Sequence, residues 1–203
     1  MSSPKIVGVV GVVAVLSAAA VAWYEIRRGF TARAEPSSIE VLVAATARKL
    51  AVPPSERQRR NPYPASAQNI RAGMEHFADH CAVCHGNDGS GDTTFGKGLY
   101  PKPPDLRSAS TQNKSDGELY YTIENGVRLS GMPAFGVQVN PSDVSTWHLV
   151  RFIRHLPDLT ATELNEMERL NPKTEQDRQE EQQEEEFLSG DRSQAQHSKT
   201  HHN

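Results

Sequence analysis

"HFADHCAVCHGNDG", from His76 to Gly89, holds both cysteines of the 203-residue chain, Cys81 and Cys84, with His85 directly behind the second. Three chemistries use cysteines at that spacing. Structural zinc normally takes four Cys or His ligands. No second CxxC is present, and His76, His80, His148 and His155 do not match a zinc-finger pattern. A redox-active dithiol belongs in a βαβ context, whereas the flanks here read as helix and glycine loop. Covalent haem attachment, whose signature is CxxCH, explains every residue of the motif. On a helical turn Cys81 and Cys84 share a face, so both sulfurs can form thioethers with the two vinyl groups on one porphyrin edge. His85 then stands against the iron as its proximal ligand.

Upstream, Gly73, Phe77 and Cys81 recur at intervals of four and share a helix face. A glycine there lets another helix come close; taken alone, Gly73 reads as an ordinary helix glycine costing roughly 1 kcal/mol against alanine. Downstream come "GSGD", "PPDL", "ELYYTIENG", "GMPAFG" and "WHLVRFIRHL". In this order the pieces, which span about residues 66 to 157, resemble the class I c-type cytochromes. Within that class they are similar to the small monohaem cytochrome subunits of cbb3-type oxidases.

The resemblance implies an all-α class I cytochrome c fold, short helices around one covalently bound haem c. It implies haem binding by Cys81, Cys84, His85 and Met132, with His85 and Met132 as the two iron ligands. It also implies that the closing helix crosses the Gly73 helix through an aromatic, Phe152, and that "GLYPKPPDL" wraps the proximal side. There a carbonyl near Pro103 or Pro104 would accept the His85 ring N–H and fix its tautomer. Electron transfer rather than catalysis follows, with a redox-protein donor and acceptor and neither nucleic acid nor a small-molecule substrate.

The methionines lead to the same sixth ligand. Of four, Met1 is terminal, Met74 lies on the CxxCH helix and cannot reach the far side of the ring, and Met167 in its charged stretch reads as a solvent-facing gap-filler. Met132 stands in a tight loop between Gly131 and Pro133. A His/Met pair raises the reduction potential relative to two histidines. His148 and His155, on the closing helix, are the rival ligands; otherwise they read as surface or hydrogen-bonded residues.

No strand-like alternation occurs between Ser66 and Asp158. Ser115 with Glu118, and Ser37 with Glu40, have the capping-box spacing that opens a helix, and another helix is expected to start near Thr160 or Thr162. "DGSGDT" begins like a calcium loop, but its sixth position is Thr93 and its twelfth Leu99, so it reads as a polar turn.

The N-terminus is uncharged from Ile6 to Tyr24, and at ~1.5 Å per residue that run covers ~28 Å, close to a bilayer core. A cleaved signal peptide competes, with "AVA" at 20 to 22 or "ARA" at 32 to 34 as cleavage sites. The organisation expected is a membrane anchor at 1–25, a juxtamembrane amphipathic helix and proline-rich linker at 26–65, a haem domain at 66–158, and at 159–203 a short helix followed by an acidic disordered tail. The chain so read is an electron carrier of the bacterial inner membrane with its haem domain in the periplasm, serving a respiratory or dehydrogenase-linked chain. A haem sensor or peroxidase-like enzyme with a displaceable sixth ligand is one alternative. A docking subunit of a larger redox complex is the other.

Overall fold

Ser66, Ser115 and Thr160 each accept a backbone N–H three residues ahead, and each starts a helix of one bundle. The computed structural model describes residues 4–29, 31–136 and 144–173, with 177, 179 and 183. Among those residues the elements are α-helices and two short 3-10 turns, with no strand. The α-helices are α1 (Pro4–Arg28), α2 (Ser38–Ala51), α3 (Pro54–Arg57), α4 (Ala67–His80), α5 (Ala82–His85), α6 (Ala109–Gln112), α7 (Asp116–Asn125), α8 (Val144–His155) and α9 (Ala161–Leu170).

The central contact is the crossing of α4 and α8. A Cβ on Gly73 would stand 2.1 Å from the His148 carbonyl oxygen and 2.9 Å from the Phe152 Cβ. Gly73 is therefore the contact point of the two backbones, and the reading as an ordinary helix glycine gives way to close packing. One turn on, Phe77 and Phe152 are both buried with ring centroids 5.1 Å apart, within the range where aromatic pairs attract. Met74, Leu149, Val150 and Leu156 complete this part of the core.

Met167 departs from expectation. It is not a solvent-facing gap-filler; its exposure is 0 %, and it joins the core beside α4. The capping box of Thr160 and Glu163 starts α9 so that Leu164, Met167 and Leu170 fall three residues apart on one side, while the surrounding charges take the other. The proline-broken segment ahead of α4 is also fastened down. Asn61 donates to the Trp147 carbonyl at 2.8 Å and accepts from the Tyr63 N–H at 3.0 Å. Arg59 lies 4.4 Å over Tyr120, which stacks on Trp147. Gly117 lets α7 approach α3 so closely that a Cβ would meet the Glu56 carbonyl oxygen.

From Ile6 to Arg27, α1 is long and apolar enough to cross a membrane, and none of that stretch is buried against the protein. The capping box predicted at Ser37 and Glu40 is present at the start of α2. The Glu/Gln-rich tail expected to be disordered lies outside the described residues, apart from 177, 179 and 183.

Candidate functional site

Where α4 ends, Cys81 is both its last cap and the first cap of α5, so the motif makes one tight turn. The N–H groups of Cys84 and His85 both donate to the Cys81 carbonyl, at 3.1 and 2.9 Å. Loop 86–106 holds the turn from outside. The Thr93 hydroxyl donates to the Val83 carbonyl at 2.9 Å, the Gly91 N–H to the His85 carbonyl at 2.7 Å, and the Leu106 N–H to the Gly89 carbonyl at 2.8 Å. Glycine is required at Gly91, which has φ +77° and leaves only 2.5 Å between a Cβ and the Pro103 carbonyl oxygen. "DGSGDT" is the polar turn expected: Asp88 accepts from the Ser90 N–H and Ser90 from the Asp92 N–H.

Burial pushes the Cys81 thiol up to about 12, with Cys84 nearby adding to the shift, and burial raises Cys84 as well. Burial thus disfavours the thiolates that disulfide exchange uses. Burial also lowers the pKa of His85, while the Pro104 carbonyl beside the ring partly opposes it. Its Nδ1 is buried without a hydrogen bond of full geometry, so Pro104 is the nearby acceptor without completing the bond. A neutral imidazole keeps a lone pair for a metal. Two adjacent thiols and a neutral imidazole on one turn fit covalent haem attachment with axial ligation.

Met132 lies in the loop after α7, half-buried and packed against the same core cluster as Cys81. The loop folds back on itself: the Val127 N–H donates to the Met132 carbonyl at 3.1 Å, and the Met132 N–H to the Ser130 hydroxyl at 3.2 Å. Gly126, at φ +66°, leaves no room for a Cβ against Pro133 and Ala134. Both rival histidines are engaged elsewhere. His155 Nε2 is 2.8 Å from Glu163, and the His148 ring meets the edge of Tyr63 at 5.1 Å.

Residues 68–153 match the family described as cytochrome c oxidase, cbb3-type, subunit III. Those residues form a class I c-type cytochrome domain. Among solved structures, a chain of the Kuenenia stuttgartiensis reducing HAO-like protein complex is similar at 24% identity with a TM-score of 0.42. The match covers 47% of this chain and 46% of that one, so the chain spans less than half of that relative. No curated protein gave a match.

In this cytochrome domain, two groups of residues escaped the sequence reading. One is a row of rings, His76 to His80 at 4.8 Å and His80 to Phe135 at 6.3 Å, that links α4 to the Met132 loop. Histidines four apart were a visible signal, but the partner Phe135 is distant in sequence. The other is Asn61 with Arg151, whose guanidinium donates to the Tyr63 carbonyl at 2.7 Å. Nothing local marks that pair.

Proposed function

We propose that the chain is a membrane-anchored monohaem cytochrome that passes one electron at a time between redox proteins on the periplasmic face of a bacterial inner membrane. Cys81 and Cys84 would hold a single haem c through thioether bonds, and His85 and Met132 would ligate its iron. The observation that carries this reading is the CxxCH turn, with protonated thiols, a neutral imidazole and a Pro104 carbonyl beside it. The engagement of His155 and His148 elsewhere favours Met132 as the sixth ligand. The unburied apolar stretch of α1 supports the anchor.

Haem c, when bound, supplies an iron that accepts and releases one electron. The chain does the rest. Pro104 offers the carbonyl nearest His85, and a completed bond from the ring N–H to it would fix the tautomer and leave the other nitrogen free for the metal. The Gly126 turn and the Val127 and Ser130 bonds hold the Met132 loop in one shape. Ligation by both His85 and Met132 would leave the iron no vacant position, which suits a carrier and opposes binding of a small gas.

The test is spectroscopic. Ferric protein should show the weak far-red sulfur-to-iron band, and ferrous protein should bind carbon monoxide slowly or not at all. Met132→Ala should abolish the band, lower the reduction potential and admit carbon monoxide, while His148→Ala and His155→Ala should do none of these. Rapid carbon monoxide binding by the unmodified protein would move the assignment to a sensor or peroxidase-like enzyme. Peroxidase staining of denatured protein should persist, and be lost in the Cys81→Ala, Cys84→Ala double variant.

A further inference from the structure

Helix α2 has two unlike sides, and the protein uses only one. Glu40 accepts from the Tyr100 hydroxyl at 2.9 Å, Ala44 is half-buried where its helical neighbours are exposed, and Arg48 lies close enough to Lys114 to lower that amine's pKa alongside burial. These three residues are four apart and share the side turned to the cytochrome domain. Just ahead of the helix, Glu35 pairs with Lys102. The opposite side carries Ile39, Leu42, Val43 and Leu50, each between 61% and 76% exposed. Thr46 lies among them, exposed, and its hydroxyl is already bonded to the Leu42 carbonyl at 2.8 Å.

We infer that α2 lies in the surface layer of the membrane that α1 crosses, with Ile39, Leu42, Val43 and Leu50 sunk into lipid and the cytochrome domain riding on its opposite side. The inference rests on the anchor reading above. Three observations choose lipid as the occupant. Only residues 29–37 separate the end of α1 from the start of α2, so the helix begins at the surface where the span emerges. Its apolar residues are as exposed as those of α1, where Val9, Val13 and Leu16 are 56% to 64% exposed. Basic residues flank the face: Arg33 in the connection and Lys49 in the last turn. They suit anionic headgroups, and such a helix sinks roughly 5–10 Å into the boundary of headgroup and acyl chain.

The consequence is a fixed orientation. Tyr100 and Lys102 belong to the loop that runs to Pro104 beneath His85, so the contacts to Glu40 and Glu35 turn that loop toward the bilayer.

The experiment uses the full chain, matured with haem and reconstituted in vesicles of phosphatidylcholine and phosphatidylglycerol. Cys81 and Cys84 are consumed by haem, so Val13→Cys, Val43→Cys and Ala44→Cys each offer one thiol for a spin label. Collision with oxygen, which favours lipid, is compared with collision with a water-soluble nickel complex. The oxygen-to-nickel ratio should be high at position 13, and several-fold higher at 43 than at 44. A low ratio at 43 with a high ratio at 13 overturns the inference and leaves the anchor standing. A low ratio at 13 removes the anchor and the inference together. Protection from both relaxers at 43, with broadening between labels that grows with protein density, means that a second copy covers the face, and it also overturns the inference.

Discussion

At Gly73 a hydrogen in place of a side chain decides how near two helices lie. Alanine would gain about 1 kcal/mol of helix propensity, yet its Cβ would press on the His148 carbonyl from 2.1 Å, and backbone cannot swing aside as a side chain can. We expect Gly73→Ala to lose roughly 1–3 kcal/mol overall, read as a lower urea midpoint with the haem stain retained. Met167 is the counterpart inside the core. Wholly buried among apolar neighbours, it should cost about 2–5 kcal/mol when cut to alanine, where a solvent-facing methionine would cost almost nothing. Thermal melts of the variant distinguish the two. Residues whose meaning is chemical could be nominated from the sequence alone: CxxCH because each atom has a task in the proposed attachment, and Met132 as a candidate ligand because few methionines compete with it. Met167 was not legible, since the charges around it in the chain outweigh the one side on which it faces the core. Asn61 was unreadable because its partner, the Trp147 carbonyl, is set by the fold.

Elements were easier to foresee than their packing. Capping boxes at Ser37 and Ser115 mark two helix starts because their bonds are local, and both are formed; the helix expected near Thr160 or Thr162 starts with Thr160 as its cap. How far α9 contributes to the domain could not be read, because its contacts run to α4, nearly a hundred residues upstream. The Glu163 carboxylate supplies a test. Burial opposes its ionisation, but bonds from the Thr160 backbone and hydroxyl, and then His155, outweigh burial and bring its pKa below the ordinary 4.5. A carboxylate depressed in the folded state adds stability above its unfolded pKa, and that stability is lost as pH falls through the folded value. The share contributed by Glu163 should therefore be intact at neutral pH and fade below about 4.5, and Glu163→Gln should flatten that part of a plot of melting temperature against pH. A stop codon after Lys173 should leave the thermal midpoint nearly unchanged. One after Asp158, which removes α9 and Met167, should lower it sharply.

For the whole molecule, the division into an apolar N-terminal helix and a helical cytochrome domain follows from composition and from the order of the motifs. The way α2 turns its sides does not, since the turn is fixed by Tyr100 and Lys102, far along the chain. Protein matured in a bacterium with haem-attachment machinery should stay in the membrane fraction after alkaline carbonate washing, and mass analysis should find residues 1–22 still attached. N-terminal sequencing that begins at Trp23 or Glu35 would show cleavage instead. The short connection at residues 29–37 has a kinetic meaning as well. Fully stretched it reaches roughly 30 Å, so with α1 as the proposed anchor the domain stays within that distance of the point where the span emerges. For a partner held in the same membrane, encounters would come by lateral drift within the sheet of lipid. Turnover should accordingly follow how densely the partner populates the membrane and be almost indifferent to the volume of water above it.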